Sequence, residues 1–206
     1  MIIREFCAEN FTDIPRAVQA GAERIELCDN LAVGGTTPSY GVIAQTADYL
    51  QDAQSLLAVM IRPRGGNFVY NSHELKIMET DILKAVEAGA QALVFGALTE
   101  ENEIDAEAMN TLVIASQGLP VTFHMAFDEI ENQFAAIDLL ADAGIAKILS
   151  HGGPLSEPLN TNLLKELIRY ADGRIDIMIG GGVTAENAAE MAELTSATFV
   201  HGTKII

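Results

Sequence analysis

Two thiols, two carboxylates and a pair of arginines stand out in the first third of the chain. Cys7 lies two residues after Glu5, and Cys28 two residues after Glu26. Residues two apart on a strand share a face. If Ile25 and Leu27 face a helix layer, Glu26 and Cys28 turn to the other side, and the same parity places Glu5 with Cys7. Charges held inside a fold are costly unless paired, so Glu5, Glu26 and Arg62 are expected to neutralise one another from three neighbouring strands. Such a cluster serves equally well as a buried ion network or as acid–base groups of an active site. Two thiolates at the ends of adjacent strands, with a His or Met nearby, would suit a soft ion such as Cu(I). On spacing alone, two small buried hydrophobic residues are the better account of Cys7 and Cys28, and their separation matches no zinc pattern.

The segment Arg62-Pro63-Arg64-Gly65-Gly66-Asn67-Phe68 offers two planar guanidinium forks suited to a carboxylate or phosphate. Further along, His124 and Asp128 are spaced so that the imidazole could act as acid, base or metal ligand while a carboxylate, Asp128 or Glu5, fixes its tautomer. The plainer reading of His124 is a satisfied core histidine; His201 is a second candidate with an even balance between the two. Glycine turns follow at Ser150-His151-Gly152-Gly153, Gly180-Gly181-Gly182-Val183 and His201-Gly202-Thr203-Lys204. Gly181, Gly182, Gly202, Thr203 and Lys204 fit the place where an α/β barrel commonly binds phosphate.

The elements that must position these residues recur as a unit: a short apolar strand, a glycine-bearing or polar loop, and an amphipathic helix. Strands are expected at 2–7, 24–28, 56–62, 92–96, 121–124, 147–150, 175–179 and 198–201, and helices at 11–20, 40–50, 72–88, 105–116, 133–143, 161–170 and 184–193. Gly21, Gly89 and Gly144 supply left-handed caps, and Thr184 is an expected N-cap. Apolar strands alternating with helices call for a parallel sheet buried on both faces. Eight of them in 206 residues predict one (β/α)8 TIM barrel domain over 1–206. An open doubly wound sheet is the alternative, although no G-x-G-x-x-G follows the first strand. No helix is expected after the eighth strand, so the seam near Ile205 and Ile206 is expected to lie open, available to a second copy or another partner.

Composition narrows the partners. Twenty-nine acidic and 12 basic residues give a net charge of −17, which repels nucleic acid in the absence of a basic cluster. No run is long and apolar enough for a membrane helix, and the first residues lack a signal-peptide pattern. A cytoplasmic protein with reduced thiols is expected.

Together these segments resemble the CutC family, named for copper homeostasis. The resemblance runs nearly end to end, through Glu5-Phe6-Cys7, Arg24-Ile25-Glu26-Leu27-Cys28, Gly34-Gly35-Thr36-Thr37-Pro38-Ser39, Ile61 to Phe68, Thr122 to Asp128, Gly180 to Val183 and His201 to Lys204. It implies a cytoplasmic TIM barrel, often homo-oligomeric, that handles copper, with Cys7 and Cys28 as the Cu(I) ligands. Met125 stands where the family usually has Arg, Thr36 where Leu is usual and Asn67 where Asp is usual. The residues themselves suggest an alternative: an enzyme that holds a phosphorylated or carboxylated small molecule on Arg62, Arg64 and the glycine loops. His124, Asp128, Glu5 and Glu26 would then supply the acid–base groups.

Overall fold

Each apolar run becomes a strand, and nearly every amphipathic run becomes the helix that returns the chain to the same edge. In the computed structural model, which describes residues 2–206, the strands are β1 (Ile3–Glu9), β2 (Arg24–Cys28), β3 (Leu56–Met60), β4 (Ala92–Phe95), β5 (Val121–Phe123), β6 (Lys147–Ser150), β7 (Asp176–Ile179) and β8 (Phe199–Gly202). All pair in parallel and in sequence order, and β8 closes on β1. The intervening helices are α1 (Ile14–Gln19), α2 (Tyr40–Leu50), α3 (Ser72–Glu87), α4 (Ala106–Ala115), α5 (Gln133–Asp142), α6 (Thr161–Ala171) and α7 (Ala188–Thr195). None is long and apolar enough to cross a membrane. The expected TIM barrel is therefore the observed fold.

Local chemistry sets the helix ends. Asn71 accepts from the backbone N–H of Glu74 at 3.0 Å while the Glu74 carboxylate accepts from the Asn71 N–H at 3.0 Å, closing a capping box at the start of α3. Asp105, Asn132 and Asn160 cap α4, α5 and α6 through their side-chain oxygens. Thr184 departs from expectation: it forms a bridge with Lys204 and caps nothing, and α7 begins four residues later. That bridge, with the Ala185 N–H donating to the Lys204 carbonyl at 2.7 Å, draws the last residues against the β7–α7 loop. Ile205 is fully buried in the core and Ile206 half-buried. The expected open seam is thus filled by Ile205 itself.

Two apolar layers result. The larger lies between strands and helices; the smaller, inside the barrel, comprises Cys7, Cys28, Ala58, Met60, Ala92 and Val94. Register aligns Cys7, Glu26, Ala58 and Ala92 across four neighbouring strands. Alanines on β3 and β4 leave room that bulkier residues would fill, and the barrel mouth opens above them.

Candidate functional site

The parity argument places the first cluster correctly and misnames one of its members. Glu5 lies opposite Arg24 on β2 and opposite His201 on β8, and both bond to it. Arg24 Nε donates to Glu5 Oε2 at 2.7 Å, and His201 Nδ1 lies 3.0 Å from Glu5 Oε1. His201 Nε2 in turn lies 3.5 Å from Glu26 Oε2. Arg62 takes no part, so the expected Glu5–Glu26–Arg62 cluster is instead Arg24–Glu5–His201–Glu26. Burial pushes the Glu5 pKa up, but His201 and Arg24 outweigh it and hold the carboxyl below its usual range. Burial likewise opposes a charge on His201, yet Glu26, Cys7 and Glu5 together raise its pKa well above the ordinary value. Glu26 moves the other way: burial and then Cys7 push it well up, and its Oε1 finds no hydrogen-bond partner.

The thiols sit beside this network, both free and both buried. Cys28 is 3.6 Å from Glu26 Oε2, under the loop at Gly35, where an added Cβ would meet Cys28 Sγ at 3.2 Å. The Cys7 thiol is pulled well below its usual range, first by the Cys28 thiol and then by His201, against the opposing effect of burial. Cys28 is pushed well up, first by Cys7 and then by burial. Ligand atoms of Cys7, Glu26 and His201 all lie within 4.8 Å of one another, close enough for one ion to touch all three.

Arg62 and His124 face the same cavity, of about 310 Å³, from its opposite side. Arg62 spends its terminal nitrogens on carbonyls: Nη1 donates to Val33 at 2.8 Å and to Gly35 at 3.0 Å, Nη2 to Gly66 at 2.7 Å. Its guanidinium lies over Phe68, 4.7 Å from the ring centroid, and the His124 ring also lies 4.7 Å from Phe68. Gly96 gives the imidazole its space, since a Cβ there would come within 2.9 Å of the ring. His124 Nδ1 accepts from the Ala126 N–H at 3.3 Å, which assigns the ring proton to Nε2. Burial, helped by the Arg62 charge, lowers the His124 pKa to about 3, so the ring is neutral at physiological pH. Nε2 has no partner, and an unmade bond of that kind costs about 1–3 kcal/mol.

Other expected site residues are engaged elsewhere. Arg64 Nε pairs with Glu74 and its terminal nitrogens reach the carbonyls of Asn67 and Val69, so it braces α3 instead of meeting a ligand. Asp128 does not orient His124: it accepts from Ser150 Oγ at 2.6 Å and from the backbone N–H groups of His151, Gly152 and Gly153, holding the β6–α6 loop. Gly202 is dictated by packing, because a Cβ would run into the Val183 carbonyl oxygen. Gly181 sits against His151 and Leu155, where a side chain would clash; Gly182 lends its carbonyl to Asn187. Thr203 and Lys204 are exposed, and the Lys204 backbone pairs with Thr184 and Ala185. None of these five lines the cavity. Missed in the sequence were Arg24, whose parity with Glu26 and Cys28 already turned it inward, and the cavity residues Met60, Phe68, Glu129 and Leu155, which carried no signal beyond their place near strand ends. A wider groove of about 550 Å³, lined by Glu101, Glu103 and Glu131, lies outside the barrel and brings no donors together.

Comparison with known proteins matches the chain as a whole to a family. The profile described as CutC family covers residues 2–206. The CutC family protein of Streptococcus pyogenes is 56% identical over 209 residues, spanning the whole of both chains. The human protein named copper homeostasis protein cutC homolog is 42% identical over 199 residues, covering 97% of this chain and 72% of its own. Among solved structures, CutC from Streptococcus agalactiae superposes with a TM-score of 0.97 at 55% identity, with full coverage of both chains. With its full-length match and these relatives, the chain belongs to the CutC family.

Proposed function

We propose that this protein takes part in copper homeostasis as a cytoplasmic protein, often paired with its own copies, that binds Cu(I) through Cys7 and Cys28. The observation that carries the reading is the donor set at the floor of the mouth: ligand atoms of Cys7, His201 and Glu26 lie within 4.8 Å of one another, and the free Cys28 thiol packs 3.6 Å from the same Glu26 carboxylate. Sulfur and imidazole donors suit a soft, polarisable cation, whereas carboxylates suit harder ones. Glu26, whose carboxyl pKa burial and then Cys7 push well up, would stand beside such an ion. The name borne by the human relative points to the same metal. Reduced thiols are the resting state that a cytoplasmic setting provides.

Less supports an enzyme for a phosphorylated substrate, because Arg64 and Asp128 are occupied and the glycine turns of β7 and β8 stand outside the cavity. The deciding experiment is a Cu(I) titration against a competing chelator. The wild-type protein is expected to bind at least about a hundredfold more tightly than Cys7→Ser/Cys28→Ser, a difference of about 2.7 kcal/mol. Equal affinities would overturn the assignment.

A further inference from the structure

One cation in the mouth has no carboxylate partner. Arg24 and His201 are both paired with Glu5, but among the described residues no carboxylate lies within ion-pair distance of Arg62, although its side chain is buried. Three carbonyl dipoles hold it in place without cancelling its charge. Buried charges are ordinarily paired, so the missing counter-ion calls for an explanation. The second clue is His124. Its Nδ1 is fixed as an acceptor by the Ala126 N–H, leaving a buried Nε2–H with nothing to donate to. A buried uncompensated cation and a buried unused donor thus line one cavity.

We infer that the Arg62–His124 side of the mouth is a subsite for a compact monocarboxylate, bound beside the thiols. A carboxylate is acceptor-only and carries two oxygens, so one group meets both needs: charge for Arg62 and an acceptor for His124 Nε2–H. Phe68, which packs against both residues, holds them in fixed relation and gives the wall its apolar part. The cavity volume is at the small end of ligand pockets, which favours a few-carbon acid over a nucleotide or a sugar phosphate. A phosphate dianion would bring a second negative charge to a rim that already carries exposed Glu129, and among the described residues that line the cavity Arg62 has no second Arg or Lys beside it. The subsite rests on Arg62 and His124 and the copper assignment on Cys7 and Cys28, although Arg62 also holds the carbonyl of Gly35, the loop residue that covers Cys28.

The protein has four histidines, so their Cε1–H signals make a readable NMR set in which His124 is assigned by its absence from His124→Asn. Propionate titrated into the full chain is expected to shift the His124 signal saturably. Propionamide, its neutral isostere, and inorganic phosphate are each expected to require about tenfold higher concentration. Asparagine at 124 keeps an oxygen for the Ala126 N–H and deletes the Nε2–H; by calorimetry this variant is expected to bind propionate about tenfold more weakly while its Cu(I) affinity is unchanged. Cys7→Ser/Cys28→Ser is expected to keep its propionate affinity, so the two sites fail or stand separately. An unmoved His124 signal, equal response to propionamide, or tighter response to phosphate would each overturn the inference, as would undiminished propionate binding in His124→Asn.

Discussion

Two buried imidazoles in one barrel mouth are treated in opposite ways. His201, on the β8–β1–β2 side, has carboxylates beside both ring nitrogens, and they help to raise its pKa well above the ordinary value. His124, at the end of β5, has an N–H at one nitrogen, nothing at the other and a guanidinium nearby, and is held neutral. The first side is a network closed on Glu5, which Arg24 and His201 share as partner. The second side is incomplete, with groups positioned by loops and turned toward empty volume. Burial is nearly equal in the two cases; what differs is the company each ring keeps. Depth alone is therefore a poor guide to which side accepts a ligand.

The largest effect is expected from opening the closed side. Glu5→Leu leaves Arg24 and His201 buried without their carboxylate, and breaking a buried pair in this way costs about 3–5 kcal/mol. Urea unfolding measures it. If the network is purely structural, Glu5→Leu/Arg24→Met should regain part of that loss, because well-packed apolar replacements of a buried pair are often tolerated. A loss below about 1 kcal/mol for Glu5→Leu would show that this side is not the closed unit its geometry describes.

A smaller effect separates the two histidines by pH. His124 has a folded pKa of about 3 against an ordinary value near 6.5. Below pH 6.5 the unfolded chain takes up a proton that the folded chain refuses, so stability from this group is present above 6.5 and lost as the pH falls. The slope is about 1.4 kcal/mol per pH unit, or roughly 2 kcal/mol between pH 6.5 and 5. His201 has the opposite sign: its contribution is present below 6.5 and lost as the pH rises through its elevated folded value. Other groups also titrate, so the quantity to compare is the difference between wild type and His124→Asn in urea unfolding from pH 6.5 to 5. The variant is expected to lose stability less steeply by that slope. Parallel curves would mean that His124 is not held neutral.

The contrast also explains what could be read from the residues in order. Strand parity and parallel register are periodic, so the alternation Glu26, Cys28 and its echo in Glu5 and Cys7 turn these side chains inward on sequence alone, and the same parity, unused for Arg24, holds there too. The barrel followed from eight apolar runs and their glycine-terminated helices, and the family from motifs spread along the whole chain. Loops have no such period. Whether Arg62 would reach Glu5 or fold back onto the carbonyls of Val33, Gly35 and Gly66 depends on how residues 31–35 cross the mouth. Asp128 was within reach of His124 by spacing, but the turn at Met125–Glu129 delivers it to the β6–α6 loop, where four donors converge. Of the glycines that looked like a phosphate cradle, Gly181 and Gly202 sit where His151, Leu155 and Val183 leave no room for a Cβ, and Gly182 has open space but a left-handed φ of +94°.

The smallest expected effect comes from the residue that looked most like Arg62. Arg64 lies two positions away across Pro63, just past the expected end of the third strand, and as a guanidinium fork for an anion it is read from sequence alike with Arg62. Yet Arg62 is buried with its charge unmatched, whereas more than a third of the Arg64 side chain is exposed and it is matched by Glu74. Solvent screens that pair, so Arg64→Gln should cost no more than about 1 kcal/mol. Part of even that arises because Glu74 also accepts from the Asn71 N–H and keeps its capping role without the arginine. Propionate affinity should be unaltered in Arg64→Gln and at least about tenfold weaker in Arg62→Gln, read by calorimetry on proteins whose folding is confirmed by circular dichroism. If both substitutions weaken binding alike, the carboxylate is held by the diffuse field of the loop. If only Arg62 matters, that buried guanidinium, which has no carboxylate partner among the described residues, defines the subsite.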